Sequence, residues 1–195
     1  MGLCDRWRCV IGLDGKIQHN VFDRASRMEI LIRSARLQLR PFKMADAEEI
    51  FACITPAIAR FMQWEPPRSL SEYKAHREAR LQANDPSVFS FVVRRNDTME
   101  CLGIAGLEDA DQPSPELGIW LKEGAHGHGY GREAVQAVAE WAAKHLAKTS
   151  FLYPVAVQNI ASRRIAEKLG GEIIGTRTNP KYESVVYKIR SLTPL

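Results

Sequence analysis

The stretch EGAHGHGYGREAV, Glu123 to Val135, decides how this chain is read. Gly127, Gly129 and Gly131 alternate with His128 and Tyr130, and an apolar helical pattern follows at once. Glycine gives up more conformational freedom on folding than any other residue. Three glycines in five positions therefore imply that something approaches the main chain. The first turn of a helix has N–H groups without intrahelical partners and the positive end of the peptide dipoles. Glycines ahead of such a turn let a phosphate reach those amides. The plain alternative is a tight strand-to-helix connection with no ligand.

Outward from this loop the elements alternate. ELGIWL before it reads as a strand. REAVQAVAEWAAKHL after it places Val135, Val138, Trp141, Ala142 and His145 or Leu146 along one stripe at helical period. FLYPVAV is a strand, and NIASRRIAEKLGG is a short helix with Asn159 as N-cap and Gly170 or Gly171 as its stop. EIIGTR and SVVYKIR close the chain as strands. Upstream, RLQLRPF alternates as a strand, and MADAEEIFACI puts Ala47, Ile50, Phe51 and Ile54 on one helical face. Ser69 and Glu72 stand at capping-box spacing and open a second helix. SVFSFVVRR and ECLGIAGLE flank a turn at Asn96-Asp97, as in a β-hairpin. From Arg36 the order is β-α-α-β-β-β-α-β-α-β-β, a mixed α/β sheet with several antiparallel pairs. Residues 1–35 form an N-terminal extension, in which RCVIGLDGKIQHNVF is either a small hairpin around Asp14-Gly15 or an unstructured lead. The main domain is expected over residues 36–192.

Composition narrows the class. With 195 residues, 45% of them hydrophobic and 26% charged, the chain suits one domain with a real core. It has no apolar run of membrane-spanning length and no secretory-type apolar core at its start. Cys4, Cys9, Cys53 and Cys101 match no zinc or CxxC spacing and are expected to be reduced thiols in a cytoplasm. The net charge of +4 sits early: residues 1–40 carry eight Lys/Arg against four Asp/Glu, and the remainder nineteen of each. A basic leading arm is compatible with a ribosome- or RNA-associated protein, but also with a merely solvated segment; no nucleic-acid motif accompanies it. His126 and His128 on a glycine loop, without a neighbouring Cys or carboxylate cluster, do not make a metal site.

Two phosphate-binding motifs fail on this loop. A Walker loop needs Lys then Ser or Thr, where Arg132 and Glu133 follow Gly131. A dinucleotide fingerprint needs a glycine where Arg132 stands and an acidic residue closing the next strand, which ends in Gln158-Asn159. The loop instead resembles the acetyl-CoA signature of the GNAT N-acetyltransferase superfamily, (Gln/Arg)-x-x-Gly-x-(Gly/Ala), from His126 to Gly131. His126 departs from the usual Arg or Gln. ELGIWL resembles the family's fourth strand, and NIASRRIAEKLGG and FMQWEPPRS resemble segments of its RimJ/RimL-like branch. The similarity covers roughly Arg36 to Arg190.

The resemblance implies acetyl transfer from acetyl-CoA to a primary amine, a protein N-terminus or a small molecule, by direct attack without a covalent acetyl-enzyme. It implies a fourth and fifth strand splayed apart around the pantetheine arm, a place where Pro154 costs little; an edge strand would also tolerate it. Main-chain groups around Ile119 and Leu121 would pair with that arm. His126, Gly127, His128, Gly129, Tyr130, Gly131 and Arg132 would hold the pyrophosphate, and Asn159 would hold the cofactor while capping its helix. Ser162 would donate a hydrogen bond to the leaving sulfur, since Ala166 occupies the position of the tyrosine many relatives use. Glu116 is the first candidate for general base, through water, with Asp109, Asp111 and Glu65 in reserve. Trp64 and Glu65 would border the acceptor. A rival reading keeps the same loop for CoA sensing without catalysis. Monomer and homodimer both remain open.

Overall fold

The computed structural model describes residues 24–190 together with the backbone of 10–11 and 17–18. Val10–Ile11 (β1) pairs antiparallel with Ile17–Gln18 (β2), as a hairpin requires; the turn expected at Asp14-Gly15 lies outside the described residues. A short helix, Arg24–Met28 (α1), leads into Ile32–Arg33 (β3). The sheet therefore begins ahead of Arg36, because β3 pairs with Leu37–Pro41 (β4), Ile32 opposite Leu39.

After β4 come Ala47–Ala52 (α2), the one-turn helix Pro56–Ala59 (α3) and Leu70–Ala83 (α4). The sequence pattern shows no α3; it is set by Thr55, whose Oγ1 accepts from Ile58 N, with Pro56 at its first position. At α4 only half of the capping box forms. Ser69 Oγ accepts from Glu72 N at 3.1 Å, but Glu72 turns its carboxylate to Arg68 N rather than to Ser69 N. The helix stops at Asn84, which adopts the left-handed conformation that Asn tolerates.

Phe89–Arg95 (β5), Cys101–Glu108 (β6) and Glu116–Leu121 (β7) form a meander. Tyr130–Leu146 (α5), Ser150–Ala156 (β8), Ile160–Lys168 (α6), Glu172–Thr178 (β9) and Glu183–Arg190 (β10) follow. One eight-stranded sheet results, in the order β3-β4-β5-β6-β7-β8-β10-β9. All neighbours are antiparallel except β7 and β8.

Strand alternation assigns the two faces. Phe91 and Val93 of β5 enter a large core with Leu37, Leu39, Val135, Val138, Trp141 and Phe151, beneath α5 and α6. Val92 enters a second cluster with Phe42, Ile50, Tyr73 and Ile104, beneath α2 and α4. Trp141 packs edge-on against Phe89 and Phe91, at ring distances of 5.1 and 5.4 Å. Fully buried apolar side chains such as Leu37, Leu39 and Phe91 each contribute about 1.5–3 kcal/mol. Beneath the second cluster Asp46, 3% exposed, accepts from the guanidinium groups of Arg40 and Arg94 and from Lys43 N. Burial works to raise its carboxyl, and these donors together outweigh burial and hold it below the usual range.

Gly103 sets how closely β6 and β7 approach. At φ +152° it adopts backbone geometry that side-chain-bearing residues avoid, and a Cβ there would lie 2.2 Å from Trp120 O and 2.8 Å from Leu121 Cα. The end of β7, which launches the glycine loop, is thus pressed directly on the backbone of β6.

Candidate active site

The glycine loop connects β7 to α5 through a single 3-10 turn, Glu123–Ala125. Gly127 and Gly129 have φ values of +79° and +80°. A Cβ at Gly127 would meet nothing within 4 Å, and one at Gly129 only Arg36 Nη2 at 3.5 Å, so backbone conformation rather than crowding requires glycine at Gly129. Gly131 does different work: a Cβ there would lie 2.9 Å from Ile165 Cδ1, so the glycine brings the start of α5 against α6. His126 N and Glu133 N donate to Glu123 O and Gly129 O. Between them, the amides of residues 129–132 donate to no acceptor among the described residues. These are the orphan N–H groups of a helix start, gathered in one turn.

The loop is held from three sides. Glu133, in the first turn of α5, accepts from Ser34 Oγ, Arg36 N and Arg36 Nε at 2.7–2.8 Å. Burial pushes its carboxyl up, and these donors more than offset that, so it stays charged below its usual range. Arg36 also donates to His128 O at 3.0 Å and lies 4.6 Å from the Tyr130 ring centre. Thr55, the cap of α3, donates to Glu123 at 2.6 Å. The ring of His126 turns back onto β7, with Nε2 2.8 Å from Leu121 O. A carbonyl only accepts, so Nε2 carries the proton. His126 thereby fastens the loop to its own strand, and the Leu121 carbonyl is engaged by it.

β7 and β8 meet at one registered pair, Glu116 opposite Leu152, and then part. Their closed end is pinned by Leu152 N donating to Pro115 O at 2.9 Å and by a 2.7 Å hydroxyl contact between Ser114 and Ser150. Amides two residues apart on a strand point to the same side, so Pro154 lacks its N–H on the side of the gap, where no ladder needs it. On its other side β8 pairs with β10 along its whole length. From Glu116 to Leu121 the gap is bordered by five residue steps, roughly 16 Å of strand.

Asn159 caps α6, its Oδ1 accepting from Ser162 N at 3.1 Å, and Gly170, at φ +74°, takes the left-handed position just past the helix end. Ser162 Oγ lies 2.8 Å from the hydroxyl of Tyr153, a β8 residue only 2% exposed. Burial pushes that phenol up to about 12, against the hydrogen bond it shares with Ser162, which lowers it. Tyr153 joins the candidate site; the sequence shows it only as part of the strand FLYPVAV, where its alternation with Phe151 and Val155 conceals a polar end.

Glu116, at the closed end of the gap, is ion-paired with Arg177 of β9. Asp109 and Asp111 occupy the exposed turn between β6 and β7. On the α4 face Trp64 meets Trp120 of β7 edge-on, with ring centres 6.3 Å apart. Lys181 gathers this corner: its Nζ donates to Ala59 O and Trp64 O and is 3.0 Å from Glu65. Arg36, Arg177 and Lys181 are remote in sequence from the residues they hold, and no local pattern signals them.

The model of the acetyltransferase (GNAT) domain family matches residues 36–172. No curated protein matches the chain. Among solved structures, the GNAT-family acetyltransferase from Bacillus anthracis aligns with a TM-score of 0.72 at 18% identity, covering 83% of this chain and 99% of that one. The ribosomal-protein-S5-alanine acetyltransferase from Vibrio fischeri aligns at 0.68 and 18%, covering 84% and 98%. The spermidine N-acetyltransferase from Vibrio cholerae, solved in complex with CoA and spermine, aligns at 0.69 and 20%, covering 81% and 97%. These likenesses show a shared fold, and the domain match spans most of the chain. The protein belongs to the GNAT acetyltransferase family and is an acyltransferase.

Proposed function

We propose that this GNAT enzyme binds acetyl-CoA along the gap between β7 and β8 and transfers its acetyl group to a primary amine in a single ternary complex. The observation that carries the reading is the run of unpartnered amides at residues 129–132, set at the mouth of the gap between β7 and β8. Such a cradle fits a diphosphate: its donors are main-chain, its approach is free of side chains at Gly127 and meets only the Arg36 guanidinium at Gly129, and the dipole of a 17-residue helix ends there. Bound there, the cofactor supplies an acetyl thioester, whose cleavage drives the transfer.

The remaining work falls to this chain. Positioning comes from the borders of the gap, with Ile119 as the β7 residue whose main chain meets the pantetheine arm. Asn159 and Arg132 flank the cofactor from α6 and α5. Glu116 takes the amine proton through water, with Arg177 fixing its carboxylate. Ser162 donates to the departing sulfur, and Tyr153 positions Ser162. Amine attack forms the C–N bond and breaks the C–S bond; the amine proton leaves toward Glu116, and the thiolate gains stabilisation at Ser162. Trp64, Trp120 and Glu65 border the acceptor on the opposite face of the sheet.

The acceptor is a protein N-terminus, in keeping with the ribosomal-protein acetyltransferase among the structural neighbours, or a small amine, in keeping with the spermidine enzyme. Thiol release measured against N-terminal peptides and polyamines separates the two. The placement of the cofactor is tested by Gly129→Asp, which adds a negative side chain to a left-handed position in the cradle. Acetyl-CoA raises the melting temperature of the wild type and leaves that of the variant unchanged. An equal shift in both removes the cofactor from this loop.

A further inference from the structure

A cavity of about 640 Å³ lies at the end of the sheet away from the glycine loop. The register places it there: its lining strand ends, Phe89 and Glu108, stand at the level of Glu116, whereas the glycine loop starts from Leu121 at the other end of β7. Its volume is that of a small-molecule site, and most of its wall is apolar. Met44, Leu81 and Val88 are partly buried there without closing over it.

Its charges do not balance. Arg27, Lys43, Arg77 and Arg80 line it against Asp85 and Glu108. Arg80 is ion-paired with Glu108, and Arg27 donates to the carbonyls of Asp85 and Val88. That leaves Arg77 and Lys43. Among the described residues Arg77 forms a single hydrogen bond, Nη2 to Ser90 Oγ at 3.1 Å, and has no carboxylate partner. Its guanidinium carbon sits 3.9 Å from the Phe42 ring centre, and its Nε is buried without any acceptor. A partly buried guanidinium with no ion-pair partner, and with its buried Nε lacking an acceptor among the described residues, is costly. An orphaned buried N–H of this kind calls for an explanation. The apolar wall excludes a bare inorganic ion as the natural fit, since such an ion would leave most of the cavity unfilled and poorly solvated.

We propose that this cavity binds an amphipathic carboxylate, its head group taken by Arg77 and Lys43 and its apolar body by Met44, Leu81 and Val88. The site is separate from the cofactor gap and does not depend on the acceptor assignment. Arg77 presents a flat, permanently charged fork suited to a carboxylate, and its stacking on Phe42 keeps that fork in place.

Isothermal titration calorimetry of the full chain with decanoate tests this. The wild type binds decanoate at one saturable site, and prior saturation with CoA leaves that binding unchanged. Arg77→Met weakens it about 10-fold or more, the loss for one charge-assisted pair. Leu81→Trp, which fills the cavity, removes it, and decanol binds more weakly than decanoate. Each variant is first shown to keep its melting-temperature response to acetyl-CoA. If Arg77→Met does not fold, Lys43→Ala, an exposed position, replaces it, with an expected weakening of about 3-fold. The proposal is overturned by absence of saturable decanoate binding, by an unchanged affinity in both the charge and the filling variant, or by competition from CoA, which would place decanoate in the pantetheine gap.

Discussion

Ser162 is joined to Tyr153, and this allows catalysis and structure to be separated in one experiment. Ser162→Ala removes the hydroxyl proposed to serve the leaving sulfur. It also strands the Tyr153 hydroxyl, which is 2% exposed and whose hydrogen-bond partner among the described residues is Ser162 Oγ at 2.8 Å. A buried hydroxyl left unsatisfied costs about 1–3 kcal/mol, and each kcal/mol lowers the melting temperature by about 2–4 °C in a chain of this length. Replacing both partners is nearly neutral, because no polar atom is then left orphaned. The double variant Ser162→Ala with Tyr153→Phe is therefore expected to recover most of the stability lost in Ser162→Ala. Turnover behaves differently. It falls about 10- to 1000-fold in Ser162→Ala, the range for one proton-transfer or charge-stabilising group, and it stays low in the double variant. Tyr153→Phe alone leaves the Ser162 hydroxyl in place and lowers turnover less than Ser162→Ala. Calorimetric melting and steady-state thiol release, run on all four proteins at one pH, supply both readouts. Wild-type turnover in Ser162→Ala refutes the role at sulfur. A double variant no more stable than Ser162→Ala refutes the claim that the stranded phenol causes the loss.

Two further outcomes test how the scaffold is held. Asp46→Asn removes the counter-charge from Arg40 and Arg94, which should lower stability toward the low end of the about 3–5 kcal/mol typical of a broken buried pair, since Arg94 keeps Glu49. The Asp46 carboxyl is held below its ordinary 3.8, so its contribution is fully present above that pH and is lost as pH falls through the folded-state value. Urea melts should show a constant gap between wild type and variant at neutral pH that closes only below about pH 4; a gap unchanged in acid contradicts the assignment. Gly103→Ala drives a Cβ to 2.2 Å from Trp120 O, a backbone atom that cannot step aside alone. It should cost about 3 kcal/mol or more and weaken acetyl-CoA binding, because the end of β7 must move. Gly106→Ala, with 3.6 Å to Phe89 O, serves as a near-neutral control, and equal effects at the two glycines contradict the close-approach argument.

The parts of the fold that could be read in the sequence are those whose cause is local. The stripe Val135, Val138, Trp141 and Ala142 is an α5 face that ends up buried, and Asn159 reads as a cap because the cap bond spans three residues. α3 escapes because four residues carry no period, and its stability comes from one side chain, Thr55, that also reaches Glu123. Strand β3 escapes because two residues gain their meaning from β4 alone. The loop proposed for the cofactor could be read for the same local reason, since a glycine loop opening a helix is a continuous segment. Ser162, Glu116, Trp64 and Glu65 are named from the resemblance, but the residues that hold them are not. Tyr153 and Ser162 are nine residues apart across a strand-to-helix turn, Glu116 and Arg177 come from strands separated in the sheet, and Lys181 reaches back to Trp64 and Glu65 over more than a hundred residues.

That division has a physical basis that bears on the mechanism. Binding a diphosphate needs amides, which every residue carries, so the loop's requirement is written as permission: glycine where a side chain would intrude. Moving protons needs particular side chains at fixed separations, and a sheet meets this by register, which brings distant residues level with one another. The parted strands connect the two. β7 and β8 pair at Glu116, which brings that carboxylate level with Leu152, and they separate beyond it, as the proposed cofactor site at the glycine loop requires. A change that extended their pairing by even one registered step toward Leu121, for instance by replacing Pro154 with a residue that restores the missing amide, would stiffen the sheet while narrowing the channel. Stability and turnover should then move in opposite directions, as expected of an opening kept for a substrate.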